Sequence, residues 1–411
     1  MRQLAERFVE RGHSVTVATS ALAERTARSL NGVTIAEFGV SGSLARGLQG
    51  DVDAYREFVL RGEFDILMIK AAQQWTFDAL WPVLGRIAPP KVFIPCGFSG
   101  LYDPAYSEYF REMPQVLRAF DQLVFYASDC RDINFARAAG LSNLIVLSNA
   151  ASEREFGVLP DPGFRARHRI AEDAFVILTV GTFTGGLKGH RELAEAFDLA
   201  TFPGRSATLI LNGNVIPSTN GGQERRRGAI GAIRRVAREA RRTWRRRRPL
   251  SSPDAQAIAS RVARLNRGDS TKRAVILDLP RPELVQAYLH SDLFVFASNI
   301  EYSPLVLFEA AAAGLPFLTV PVGNAAEIAE RTGGGMVCPA PRDSQGYTRV
   351  DPAVLAKHIS SLAENPELLD TLGREGRRSW SAEYTWDIVS RRYETLFARL
   401  IEQKRSPNVE A

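Results

Sequence analysis

The chain has little of what builds a disulfide scaffold, a metal cluster or a membrane span. Only three cysteines, Cys96, Cys130 and Cys338, occur in 411 residues. They are odd in number, widely spaced and set in apolar or loop contexts, so reduced, packed thiols are expected. No run approaches the roughly 18 uninterrupted apolar residues that a spanning helix needs. The most apolar stretch, 305–322, is broken by Glu309, Pro316 and Pro321. The opening residues MRQLAERFVERGHS have no apolar core of the secretory kind, and a cytoplasmic location is expected.

What is present is the composition of a globular protein. Hydrophobic residues make up 45% and charged residues 24%, enough to fill a core and cover it. The length exceeds what one core usually serves, so two domains are expected. The net charge of +6 is unevenly placed. Residues 225–248 hold twelve arginines against one glutamate, a local balance of +11, and the rest of the chain is therefore net acidic.

Short β-branched runs alternate with helical stretches, the pattern of parallel sheets with crossover helices. Strands are expected at 14–19, 33–37, 65–70, 92–95, 122–127 and 144–147, and again at 175–180, 207–212, 274–278, 293–297, 316–320 and 335–337. Most are continuous apolar runs, as for strands covered on both faces. The fold class is therefore α/β, with two doubly wound Rossmann-like domains and a ligand at the carboxyl ends of strands in the cleft between them. The boundaries expected are 1–152 for the first domain and 153–384 for the second, with an arginine-rich insertion at 215–268. A linker is expected around 149–173, and a terminal helix over 385–411 crosses back to the first domain. Trp386, Val389, Tyr393, Leu396 and Leu400 form its apolar stripe.

The first domain looks incomplete. Residues 1–11 read as a helix, with Leu4, Phe8 and Val9 on one face, leading straight into the strand SVTVAT. A doubly wound domain normally opens with a strand and a glycine-bearing turn before such a helix. Either the true start lies roughly twenty to thirty residues upstream, judging from the length of a βα unit, or those elements are absent. The upstream start is the reading preferred.

The stretch 298–327 carries the chemistry. A strand ends, and Ser303 followed by Pro304 makes a helix start, with an N-cap side chain and proline at the first position. The helix stops at Gly314. Its first turn offers the backbone N–H groups of Leu305 and Val306 and the positive end of the dipole, a site suited to a diphosphate. Glu301 and Glu309, eight positions apart, would accept hydrogen bonds from sugar hydroxyls.

This pair resembles the Glu-x7-Glu motif of retaining GT-B glycosyltransferases, above all glycosyltransferase family 4 (glycosyl transferases group 1). RGHSVTVAT, VLSNAASEREF, VGTFTGGLKGHRELAEAF and LPRPELVQAYLHSDLFVFAS are similar, in order and spacing, to further segments of that family. The resemblance covers nearly all the chain except about 215–268. It implies that the first domain is acceptor-side and the second binds a nucleotide sugar, UDP- or GDP-linked. Glu309 would hold the ribose and Glu301 the donor sugar, with Lys188 neutralising the diphosphate leaving group. Gly181, Thr182, Ser303, Pro304, Leu305 and Val306 would complete the donor site. The reaction implied is metal-independent, cofactor-free transfer of a hexose with retention, onto a glycan or lipid-linked acceptor, as in bacterial surface polysaccharide or glycolipid synthesis.

The sequence departs from the family at three places. Thr182 stands where the family usually has Arg, so one cation is missing unless Arg191 or Arg281 replaces it. Gln73 or Gln74 stands where a His is common. The opening glycine turn is absent. A catalytically silent GT-B protein that binds glycan, lipid or a partner enzyme is the alternative reading.

Other features weigh less. Asp51 and Asp53 spell a metal-binding DxD but read as a solvated helix start, and GTFTGGLKG lacks the GK[ST] ending of a P-loop. His190 reads as a helix-start residue. Trp75, Tyr102 and Tyr106 either offer faces to an acceptor sugar or simply pack a loop. In 225–248 the apolar residues Ala229, Ile233, Val236, Ala240 and Trp244 follow helical spacing, a basic amphipathic pattern suited to an anionic membrane surface. A merely solvated insertion is the competing reading of that segment, and nucleic acid the lesser one, because no recognised nucleic-acid module accompanies it.

Overall fold

The computed structural model describes residues 1–183, 186–213, 253–269 and 271–406. The chain divides into two units. The first comprises Met1–Phe156, Tyr302–Ala312 and Ser379–Ala411, and the second comprises Gly157–Glu301 and Ala313–Arg378.

Among its described residues the first unit carries nine strands: β1 (Thr16–Ser20), β2 (Ser29–Leu30), β3 (Val33–Phe38), β4 (Val40–Ser43), β5 (Gly47–Gly50), β6 (Leu67–Lys70), β7 (Lys91–Ile94), β8 (Gln122–Phe125) and β9 (Leu144–Val146). They do not form one sheet. β6-β7-β8-β9 is a parallel sheet and β1-β3-β2 a separate one, with β4 and β5 a hairpin. The central strands β7 and β8 are buried throughout, and their alternate residues serve two cores. Val92, Ile94 and Val124 pack with Leu4 and Phe8 of the Arg2–Glu10 helix and with Tyr393 and Leu396 of the Trp386–Arg405 helix. Phe93, Leu123 and Phe125 pack on the opposite face with Tyr55 and Val59 of the Val52–Arg61 helix. This two-sided burial is why the strands read as unbroken apolar runs. The apolar stripe expected in the terminal helix is buried as a whole, and Thr385 caps that helix by accepting from Ile388 N at 3.2 Å.

β2, β4 and β5 have no counterpart among the expected strands. Their residues SL, VSGS and GLQG lack any apolar alternation, and the hairpin is specified by left-handed glycines at 42, 47 and 50 instead. Asp51 flanks the Val52–Arg61 helix and Asp53 sits in its first turn, so the DxD sequence is a helix start.

Among its described residues the second unit holds one six-stranded parallel sheet: β10 (Phe175–Val180), β11 (Ala207–Asn212), β12 (Lys272–Leu277), β13 (Leu293–Phe296), β14 (Phe317–Thr319) and β15 (Gly335–Val337). Their order is β12-β11-β10-β13-β14-β15. The chain winds outward in one direction from β10 to β12 and in the other from β13 to β15. The switch point therefore lies between β10 and β13, where a doubly wound sheet opens a ligand crevice beyond its strand ends. The basic segment 225–248 lies outside the described residues. No helix among the described residues is long and apolar enough to cross a membrane.

Candidate functional site

In the second unit, the loops after β10 and β13 meet at the switch point. Gly181 follows β10, and a side chain there would press on Lys188 Cβ and on the His190 ring, each 3.2 Å from the added carbon. Gly189 adopts φ +67° and packs its backbone on the carbonyl of Ala297, directly after β13, where any Cβ would collide. Glycine is thus required at 189 by conformation and by space together. It turns the chain into the His190–Leu199 helix and leaves Lys188 at the strand ends.

The loop after β13 holds this turn from the other side. Asn299 N donates to Leu187 O at 2.9 Å, Ser298 Oγ donates to the same carbonyl at 3.2 Å, and Asn299 Nδ2 donates to Gly186 O at 3.3 Å. Lys188 Nζ is ion-paired with Glu301 Oε1, which also accepts from Ser298 Oγ at 3.2 Å. Both charges remain within reach of solvent, at 28% and 19% side-chain exposure, so the pair can open to a ligand. The structure therefore brings Gly181, Lys188 and Glu301 together. Thr182 is half-buried beside them. Arg191, named as a replacement for the absent cation, has a side chain that is 73% exposed and lies 3.7 Å from Glu192.

His190 is the first residue of its helix and is buried against Phe183, ring centroids 4.5 Å apart. Its Nε2 has no partner among the described residues. Burial first, and the Lys188 charge second, push its pKa down to about 4, so the ring is neutral near neutral pH.

In the first unit, the segment after Glu301 is anchored by residues that sequence reasoning missed. Asp132 accepts hydrogen bonds from Gly97 N at 2.8 Å, from Ile133 N at 2.9 Å and from the Tyr302 hydroxyl. The Tyr302 oxygen in turn accepts from Tyr126 N at 3.2 Å. Burial raises the pKa of both Asp132 and Tyr302. Asn149 Nδ2 donates to Ser303 O at 3.1 Å. A tyrosine between two candidate residues and an asparagine in VLSNAAS are the only sequence signals for this anchor.

The helix that follows is Leu305–Ala313, one residue later than expected. Pro304 therefore flanks the helix and is not its first residue. Ser303 does not act as the expected cap: its Oγ is buried with no hydrogen-bond partner among the described residues. The first-turn N–H groups of Leu305 and Val306 have no intrahelical partner by geometry, and Leu305 is exposed. Glu309 lies half-buried within the same helix.

Gln73 has φ +62° in the loop after β6. Its Oε1 accepts from Ser99 Oγ and Gly100 N, each at 3.1 Å, and its backbone N donates to the Tyr109 hydroxyl at 2.8 Å. That hydroxyl donates to the buried Asp78 at 2.7 Å. Gln74 is exposed at the start of the Trp75–Asp78 helix. Trp75 is a correction. It is 7% exposed, stacks edge-on to Tyr55 with centroids 4.9 Å apart and donates to Ser20 Oγ at 2.8 Å, so it offers no face to a ligand. Tyr102 is the opposite case, 80% exposed on its loop.

Residues 260–379 match the family described as Glycosyl transferases group 1. Over 112 residues the chain is 30% identical to the glycogen synthase of Mycobacterium tuberculosis, a match covering 27% of this chain and 25% of that protein. The chain thus spans about a quarter of the length of the curated relatives it matches. Among solved structures it is similar to sucrose-phosphate synthase from Thermosynechococcus elongatus, with a TM-score of 0.69 at 16% identity over 98% of this chain and 92% of that one. It is also similar to Anabaena HepE in complex with UDP-glucose, with a TM-score of 0.63 at 16% identity over 96% and 94%. These likenesses extend over nearly the whole chain. The chain has the GT-B fold, and its residues 260–379 are similar in sequence to the glycosyl transferases group 1 family.

Proposed function

We propose that the protein is a retaining, metal-independent glycosyltransferase that moves a hexose from a UDP- or GDP-linked donor to a glycan or lipid-linked acceptor, in surface polysaccharide or glycolipid synthesis. The observation that carries this reading is the Lys188–Glu301 pair, set at the switch point by glycines 181 and 189. When the donor enters, Lys188 leaves the carboxylate for the diphosphate and stabilises the charge that develops on the departing oxygen. Glu301 is then released to accept hydrogen bonds from the sugar. Ser303 Oγ, the N–H groups of Leu305 and Val306, and Glu309 supply the remaining donor contacts, Glu309 to the ribose. HepE, similar in fold, is solved with UDP-glucose bound, which supports a nucleotide-sugar donor.

Tyr102, with Gln73 and Gln74, serves the acceptor side. The basic segment 225–248 brings the enzyme to an anionic membrane, each arginine near the surface contributing about 1 kcal/mol. The rival reading, donor binding without turnover, has Thr182 in its favour, because the family's usual cation is absent there. Hydrolysis of UDP- and GDP-sugars by the chain, and by Lys188→Ala and Glu309→Ala, tests the reading. Loss of activity in both variants is expected. Full activity in both would remove the site assignment, and donor binding with no hydrolysis in the unaltered chain would favour the silent reading.

A further inference from the structure

Three elements of the first unit converge on one buried carboxylate. Asp78 closes the Trp75–Asp78 helix and has no exposed surface. Its Oδ2 accepts from Leu44 N, between β4 and β5, at 2.8 Å. Its Oδ1 accepts at 2.7 Å from the hydroxyl of Tyr109, on the Ser107–Arg118 helix. That hydroxyl accepts in turn from Gln73 N, in the loop after β6, at 2.8 Å. A backbone N–H can only donate, so Tyr109 gives a lone pair to Gln73 and turns its own proton to Asp78.

Burial raises the Asp78 pKa, and the bonds from Leu44 and Tyr109 lower it. An apolar side chain would fill this space at less cost than a buried acid. What the carboxylate adds is direction, and Tyr109 passes that direction to Gln73. Gln73 has φ +62°, a conformation that a residue with a Cβ keeps only where its surroundings enforce it. The bond from its N–H to Tyr109 is that enforcement, and it sets where the Gln73 side chain leaves the backbone.

The carboxamide at the end of that side chain is held by its oxygen. Oε1 accepts from Ser99 Oγ and Gly100 N, each at 3.1 Å. Nε2 lies against Gly100, 2.3 Å from where a Cβ would stand. Gly100 is outside the left-handed region, so space and not conformation calls for glycine there. With Oε1 engaged, the Nε2 protons meet no acceptor among the described residues, and they reach solvent. Gly100 also opens the turn that displays Tyr102. Its carbonyl accepts from Asp103 N at 3.0 Å, and the Tyr102 side chain between them is 80% exposed. A donor of set orientation thus stands at the base of the turn that carries an open aromatic face.

We propose that Gln73 Nε2 and the Tyr102 ring form a subsite for a neutral pyranoside, and that Asp78 is the positioning residue that orients Gln73 through Tyr109. The ring covers an apolar face of the sugar, and Nε2 donates to one of its oxygens. The subsite presupposes the acceptor-side role of these loops and narrows it. The polar contact belongs to Gln73 and not to Gln74, which is exposed at the helix start and makes no side-chain capping bond. The group recognised is a sugar ring offering a hydrogen-bond acceptor.

NMR titration of the UDP-saturated, isotope-labelled chain with methyl α-D-glucoside, methyl α-D-mannoside and methyl β-D-galactoside tests this. At least one hexoside should shift the Gln73 side-chain amide and the Tyr102 signals together. Its affinity should fall about fivefold or more in Asp78→Asn and in Tyr109→Phe. In both variants the Gln73 amide signal should move toward that of free glutamine while the remaining spectrum keeps its dispersion. Tyr109→Phe removes a single oxygen and decides the matter if Asp78→Asn does not fold. Gln73→Glu, which keeps an oxygen for Ser99 and Gly100 but loses the donor, should weaken binding as far. Hexoside binding at Tyr102 with full affinity in Gln73→Glu would overturn the subsite and leave the acceptor-side role standing. Full affinity in Tyr109→Phe would overturn the positioning role of Asp78. Shifts at neither Gln73 nor Tyr102 with any hexoside would overturn the subsite and remove the acceptor-side role with it.

Discussion

The two units solve the same problem, holding loops at the carboxyl ends of a parallel sheet, by different means. In the second unit one continuous six-stranded sheet presents its loops through glycines, with Gly189 in the left-handed region against Ala297. In the first unit the sheet is in two pieces, and non-glycine residues occupy the left-handed region after β6 and β7: Ala71, Gln73, Cys96 and Phe98. Such conformations cost about 1–3 kcal/mol each and persist only where surrounding structure enforces them. Here the Asp78–Tyr109–Gln73 chain and the Asp132–Tyr302 bond supply that enforcement. The second unit encodes its loop in backbone permissiveness, and the first encodes its loops in tertiary contacts.

The contrast can be broken at several points. Lys188→Ala should lower donor turnover by about 10²–10³-fold, some 3–4 kcal/mol of transition-state stabilisation, with Tm nearly unchanged because the side chain is partly exposed. Steady-state kinetics and a thermal melt on the same preparation check it. Gly189→Ala should do the reverse, costing about 3 kcal/mol of stability through its positive φ and the Ala297 carbonyl. A melt near that of the unaltered chain would show that the turn tolerates a side chain.

A third expectation concerns pH. His190 has its folded pKa lowered to about 4 by burial, so between about pH 6.5 and 4 the unfolded chain binds the proton more readily. The favourable contribution is complete above about 6.5 and is lost as pH falls, the loss amounting to about 2–3 kcal/mol near pH 4. His190→Leu should flatten that limb of the stability profile, read by urea melts at each pH. In the first unit, Tyr302→Phe should cost about 1–2 kcal/mol by leaving a buried Asp132 lone pair unmet, and should raise KM for donor more than it lowers kcat. Smallest of all, Tyr102→Ala should leave stability within about 0.5 kcal/mol and alter only acceptor KM, since the ring is exposed.

The same contrast explains what the sequence reveals. Strands such as FVILTV and ATLILN are legible because burial on both faces leaves a continuous apolar run, and their boundaries are found to the residue. Lys188 and Glu301 are legible through the glycines and the Glu-x7-Glu spacing around them. The hairpin of β4 and β5 is not legible, since its residues carry no hydrophobic period. Asp132 is not legible either, because its partners Gly97 and Tyr302 are distant in sequence. Trp75 misleads for a related reason. An aromatic after a strand end looks like a sugar platform until Ser20 and Tyr55 are seen to enclose it. Ser303 reads as a cap from its residue type, yet its hydroxyl faces no protein partner among the described residues.

The donor site stands or falls on a nucleoside diphosphate lying at the β10–β13 switch point with Lys188 on its phosphates. Calorimetric titration of UDP against UMP, and of GDP against GMP, into the chain and into Lys188→Ala reads this out without any need for turnover. One diphosphate should bind at least tenfold tighter than its monophosphate, and that preference should collapse in Lys188→Ala. An unchanged preference in Lys188→Ala, or no preference in the unaltered chain, would contradict the assignment.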